Sequence, residues 1–147
     1  MSTNDRDLVR EQANKDRIQA AFDAWAAGTG GPFELLADHA IWTIVGNSPV
    51  SRTYNGRQDF LDTVIGPFNA RMSERLVPTV RALYADGDWV IALFDAHATA
   101  RDGQPYDNTY TWYMRIAEVD GAAVIVEAIA FFDTIEFADF WNRVTPG

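Results

Sequence analysis

The sequence predicts an α+β fold: helices cover one face of a curved antiparallel sheet and close it into a cone. Three observations carry this. Apolar residues recur at helical spacing in the first half of the chain. Four β-patterned segments then follow one another across tight turn signals, and short links imply antiparallel neighbours. A short helix comes last, so helices and strands are segregated rather than alternating.

The elements follow in order. In DLVREQANKDRIQAAFDAWAAGTGG, Ile18, Ala21, Phe22 and Trp25 share a helical face, and Gly28, Gly30, Gly31 and Pro32 stop the helix. PFELLAD reads as a second, short helix with Phe33, Leu36 and Ala37 on one side. AIWTIVG switches to β-branched and aromatic residues, a strand broken by Gly46, Asn47, Ser48 and Pro49. GRQDFLDTVIGPFNARM returns to helical spacing through Phe60, Leu61, Val64, Ile65 and Phe68. Gly66-Pro67 should kink or divide it. The strands LVPTVRALYAD, WVIALFDAHATA, YDNTYTWYMRIAEV and AVIVEAIAFFD follow, with turn signals at 86–88, 101–105 and 119–121. TIEFADFWNRV is the last helix, with Asp133 and Glu136 at capping-box spacing. No linker or repeat interrupts this order. Residues 1–147 read as one domain, with 1–16 either the start of the first helix or partly disordered.

At 147 residues and 48% hydrophobic content, the chain suits one sizeable core. A formal net charge of −9 repels phosphate backbones and anionic bilayers, so neither nucleic acid nor membrane is an expected partner. There are no cysteines, and the histidines are His39 and His97. Thiolate chemistry, disulfides and Cys- or His-rich metal sites are excluded, and no metal or cofactor is expected. The N-terminal stretch is charged, without an apolar core of signal-peptide length, and no run matches a membrane span. A soluble cytoplasmic protein is expected.

Two stretches point to chemistry. In IALFDAHATA, Asp95 and His97 lie two apart on a strand and share a face. Facing a pocket, their burial and mutual charge act in opposite directions on both pKa values, which suits acid–base work near neutrality. A structural hydrogen-bonded pair, or an exposed pair on the sheet, is the other reading. In YDNTYTWYM, Asn108, Tyr110, Trp112 and Met114 share one face, and Asp107, Thr109, Thr111 and Tyr113 the other. The first set suits an apolar cavity wall with a few polar handles, or plain core. In VIVEAIAFF, Glu127 shares its face with Ile125, Ile129 and Phe131. An apolar outer face of this kind suits a dimer interface, with Arg115 as partner for Glu127.

AIWTIVGNSPVSRTYNGRQDF, DGQPYDNTYTWYMRI and FFDTIEF, in this order and spacing, resemble the SnoaL-like branch of the nuclear transport factor 2-like superfamily, also called the ketosteroid isomerase-like fold. The resemblance runs over nearly the whole chain from about Ile18. It implies a cone with an apolar pocket and a homodimer. Against the limonene epoxide hydrolase relatives, Asp95 falls at a catalytic Asp and Asn47 at a water-holding Asn. Val45, Leu93 and Ala130 stand where the other site residues would be, so that mechanism is not expected. The polyketide-cyclase relatives place an acid–base Asp near Ala130, where this chain offers Glu127 and Asp133 at the opposite parity. The steroid isomerase relatives use a base near the end of the first strand, where this chain has Trp42 and Ile44. Tyr110 remains as a donor to an oxyanion.

Taken together, these features imply a pocket for a small apolar molecule. One reading is a cofactor-independent isomerase, cyclase or lyase. Asp95 and His97 would be its acid–base pair, and Trp42, Asn47, Tyr54, Asn108, Tyr110 and Trp112 its substrate contacts. A non-catalytic binding protein and a dimeric association domain are the other readings.

Overall fold

The computed structural model describes residues 5–147. Helix α1 spans Asp5–Ala27, and residues 1–4 lie outside the described residues. Ile18 and Phe22 are its most deeply buried apolar residues, as the spacing required. It ends at Gly28, whose φ of 78° is the left-handed conformation a helix-ending glycine supplies. The freed carbonyls are also capped from outside the helix. Arg75 donates to Trp25 O at 2.7 Å and to Ala26 O at 2.9 Å, placing a cation at the negative end of the helix dipole.

PFELLAD does not make a full helical segment. A 3₁₀ turn covers Pro32–Leu35, and strand β1 already begins at Leu36, running Leu36–Ile44. The sheet takes Leu36 because it pairs with Ile125. Strand β2, Thr53–Asn55, is too short to show a period and was not expected. The next helical segment is divided, as Gly66-Pro67 required. Helix α2 (Arg57–Phe60) runs into a π-helical turn (Leu61–Ile65) and then into α3 (Gly66–Asn69). Pro67 has no N–H for the α-helical ladder, and the wider turn absorbs the lost bond.

Strands β3 (Met72–Asp86), β4 (Trp89–Ala100), β5 (Pro105–Val119) and β6 (Ala122–Phe132) form the expected antiparallel meander. Its last turn places Asp120 and Gly121 at φ 52° and 81°, the pair of positive values that matches strand twist in a tight hairpin. The sheet order is β2-β1-β6-β5-β4-β3, curved and unclosed. One expectation is corrected here: β1 pairs with β6 in parallel, so the sheet is mixed. Hairpin links force antiparallel pairing only between strands adjacent in sequence, and β1 and β6 are the first and last strands along the chain.

A bulge corrects a second expectation. Arg115 pairs with Glu127 but Ile116 with Ile125, so Val126 is an extra residue. The bulge turns Ile125 into the core, fully buried, while Glu127 stays on the outer face with Arg115 Nε at 3.3 Å. Helix α4 spans Thr134–Arg143. Asp133 caps it through Oδ1, which accepts from the N–H groups of Ile135 (3.0 Å) and Glu136 (3.1 Å). Its Phe137 and Phe140 close one end of the core. Arg71 ties the chain end beyond α4 to the body, donating to Val144 O and Trp141 O while stacking on the Trp141 ring. Among the described residues, no helix is long and apolar enough to cross a membrane.

Candidate functional site

A cavity of about 390 Å³ lies between the inner face of the sheet and the helices above it. Its walls are built from parity and helical period. On β5, Tyr106, Asn108, Tyr110, Trp112 and Met114 alternate inward, and all five are buried. On the helical side, Phe60, Val64 and Phe68 follow one another at intervals of four residues across the π turn, and each lines the cavity. Trp25 comes from α1 and Phe33 from the 3₁₀ turn.

Trp112 is the centre of the aromatic wall. It stacks on Trp25 (centroids 5.7 Å, planes 17° apart) and meets Trp42 edge-on at 5.0 Å. Trp42 in turn stacks flat on Phe60 at 4.3 Å. Such contacts hold each ring at a set angle, leaving rigid flat surfaces at the cavity wall.

Among the described lining residues, Tyr110 carries the buried hydroxyl and Trp42 and Trp112 carry buried indole N–H groups; Glu34, Asn69 and Arg75 are exposed and so mark the mouth. The Tyr110 ring lies parallel to Phe94, 5.1 Å away. Its hydroxyl meets Tyr106 Oη at 2.7 Å, and Tyr106 Oη accepts from Asn108 Nδ2 at 2.8 Å. Burial pushes the Tyr106 hydroxyl up to about 12 and the Tyr110 hydroxyl well above the ordinary tyrosine value. Both therefore stay protonated across the neutral range. The site offers a neutral hydroxyl donor at an apolar, aromatic wall. That can orient a carbonyl oxygen or steady negative charge growing on it.

Trp42, Tyr110 and Trp112 thus come together in the cavity wall, with Asn108 directly behind Tyr110. The other expected residues lie elsewhere. Asp95 and His97 point to the outer face of the sheet, because β4 turns Val90, Ala92, Phe94, Ala96, Ala98 and Ala100 inward. They do not pair with each other. Asp95 receives a two-pronged contact from Arg81 (Nε and Nη2, both 2.8 Å) and the Thr109 hydroxyl at 2.6 Å. The Arg81 hydrogen bonds, and then that of Thr109, hold the Asp95 carboxyl below the ordinary range, so it is ionised at neutral pH. His97 Nδ1 meets Asp107 across the strand pair. Asn47 sits exposed in the loop after β1. Tyr54 is buried, but its hydroxyl donates to Val50 O at 2.6 Å and its ring carries Arg52, so it fastens that loop rather than lining the cavity.

The parity of β4 was legible. One alternate set is apolar along its whole length, while the other turns polar at Asp95, His97 and Thr99; the unbroken set is the one to bury. The cavity residues from α1 to α3 carried a weaker signal, the Phe60–Val64–Phe68 stripe, which also describes ordinary core.

A SnoaL-like domain matches residues 18–127. The chain belongs to that family. No curated protein matches the sequence. Among solved structures, Bal32a from a soil-derived mobile gene cassette is similar over 90% of this chain and 98% of its own, at 17% identity and a TM-score of 0.70. A proposed SnoaL-like polyketide cyclase from Jannaschia sp. CCS1 covers 95% of each chain, at 15% identity and a TM-score of 0.68. IdmH, a proposed polyketide cyclase from Streptomyces antibioticus, covers 86% of this chain and 96% of its own, at 22% identity and a TM-score of 0.61. These likenesses establish the SnoaL-like, nuclear transport factor 2-like fold.

Proposed function

We propose that this SnoaL-like protein binds a flat, mainly apolar ring compound in its cavity and holds it by a hydrogen bond from Tyr110 to a carbonyl oxygen. The observation that carries this is an aromatic-walled cavity of about 390 Å³ with a neutral, buried tyrosine hydroxyl in its wall. Two neighbours of like fold are proposed polyketide cyclases, and a polyketide offers carbonyl groups of this kind. Binding takes precedence over acid–base catalysis because the carboxylate among the described lining residues is Glu34, exposed at the mouth. The expected pair, Asp95 and His97, is across the sheet. A homodimer through the outer sheet face is part of this proposal: Phe131 and Tyr113 are partly exposed there and touch each other edge-on at 5.9 Å.

Shape-matched tricyclic compounds test the binding. 9-Fluorenone carries a carbonyl, and fluorene carries a methylene in its place. Quenching of the cavity tryptophans gives the affinity of each. Fluorenone should bind more tightly by about three- to tenfold, the worth of one neutral hydrogen bond, and Tyr110→Phe should remove the difference. If neither compound binds, or Tyr110→Phe leaves the difference intact, the proposal fails.

A further inference from the structure

The hydrogen bonds behind Tyr110 have a direction, and Asn108 sets it. Asn108 Oδ1 lies 2.8 Å from the N–H of Thr109 and 3.1 Å from the N–H of Asp133. A backbone N–H only donates, so this end of the amide is its oxygen. The other end is then the NH₂ group. It donates to the Asp133 carbonyl at 3.0 Å and to Tyr106 Oη at 2.8 Å. Tyr106 Oη therefore accepts from Asn108, and its own proton goes to the other hydroxyl in reach, Tyr110 Oη at 2.7 Å. Tyr110 accepts that bond and keeps its own proton for the cavity it lines.

We infer that Asn108 is a specificity-determining positioning residue. Anchored by two backbone donors, it orients the Asn108–Tyr106–Tyr110 chain so that the cavity selects hydrogen-bond acceptors, neutral carbonyl compounds above all, against donors of the same shape. This rests on the binding role of Tyr110 and adds the direction of the bond and the residue that fixes it. A ligand N–H placed at Tyr110 would find an oxygen already accepting from Tyr106 and would strand the Tyr110 proton in an apolar wall. Asn108 is buried and its geometry comes from β5 on one side and the start of α4 on the other, so the preference is built into the fold and not into a mobile side chain.

The test is a ratio. 9-Fluorenone accepts, carbazole donates through its ring N–H, and the two have nearly the same outline. Affinities are measured by competition against prodan, a fluorescent naphthyl ketone, for the intact chain and its variants. The wild type should prefer fluorenone to carbazole by about five- to tenfold, as one hydrogen bond gained or lost requires. In Asn108→Asp the carboxylate accepts from Tyr106. Tyr106 then accepts from Tyr110, the Tyr110 lone pair faces the cavity, and the preference should reverse toward carbazole. Tyr106→Phe frees Tyr110 to turn either way, and the ratio should fall toward one; this variant decides the matter if Asn108→Asp does not fold. A purely structural Asn108 would weaken both compounds by the same factor and leave the ratio unchanged, and that result overturns the inference. If wild type binds neither compound, the binding role of Tyr110 falls with it. If it binds both equally, binding stands and the inference alone is refuted.

Discussion

Alkaline stability measures how completely Tyr106 is withdrawn from water. The side chain has no exposed surface, and burial pushes its hydroxyl from the ordinary 10.0 to about 12, with the bond from Asn108 opposing the shift. A raised pKa means that the fold favours the protonated form. Its contribution is therefore complete below pH 10 and is lost as pH rises toward 12. A difference of roughly two units corresponds to about 3 kcal/mol in full, of which roughly half is lost by pH 11, where the unfolded chain is mostly ionised at this residue and the folded one is not. Urea unfolding followed by tryptophan fluorescence at pH 8 and pH 11 reads this directly. The loss of stability between the two should be larger in wild type than in Tyr106→Phe by on the order of 1 kcal/mol. The variant will start from a lower baseline, because it gives up bonds to Asn108 and Tyr110 worth about 1 kcal/mol each, but the baseline cancels in the comparison. Equal losses in the two proteins would mean that Tyr106 ionises in the fold as readily as in the unfolded chain, and that its burial does not withdraw it from water.

Two further outcomes follow from the sheet's two faces. Asp95→Asn should leave fluorenone affinity unchanged within twofold, since Asp95 faces away from the cavity in an exposed pair with Arg81; a loss of binding in a titration would put Asp95 back in the site. Phe131→Lys on the outer face should shift the chain from dimer to monomer in sedimentation equilibrium, and a wild type that sediments as a monomer at all concentrations would end the homodimer proposal.

Much of the architecture was legible because it is local. The alternation in YDNTYTWYM needs nothing beyond strand geometry, and it placed Asn108, Tyr110, Trp112 and Met114 on the buried face. The stop at Gly28 and the cap at Asp133 are decided by residues within a turn of the helix end. Asp95 and His97 show where that kind of inference falters. Their spacing put them correctly on one face, but the choice of face depended on weighing the whole of β4, whose other alternate set is apolar and buried from end to end.

The sequence by itself determined the α+β class, the meander, the division of the helix at Gly66-Pro67 and the aromatic character of the interior. Each follows from periodicity or from the stereochemistry of a few adjacent residues. Tertiary structure decided the parallel pairing of β1 with β6, the bulge that turns Ile125 inward, and the separation of Asp95 from the cavity. It also decided the direction of the hydroxyl chain. That direction depends on the Asp133 N–H and carbonyl reaching Asn108 across 25 residues of sequence. A hydrogen bond of this kind is specified by the meeting of two strand ends, which no local pattern encodes.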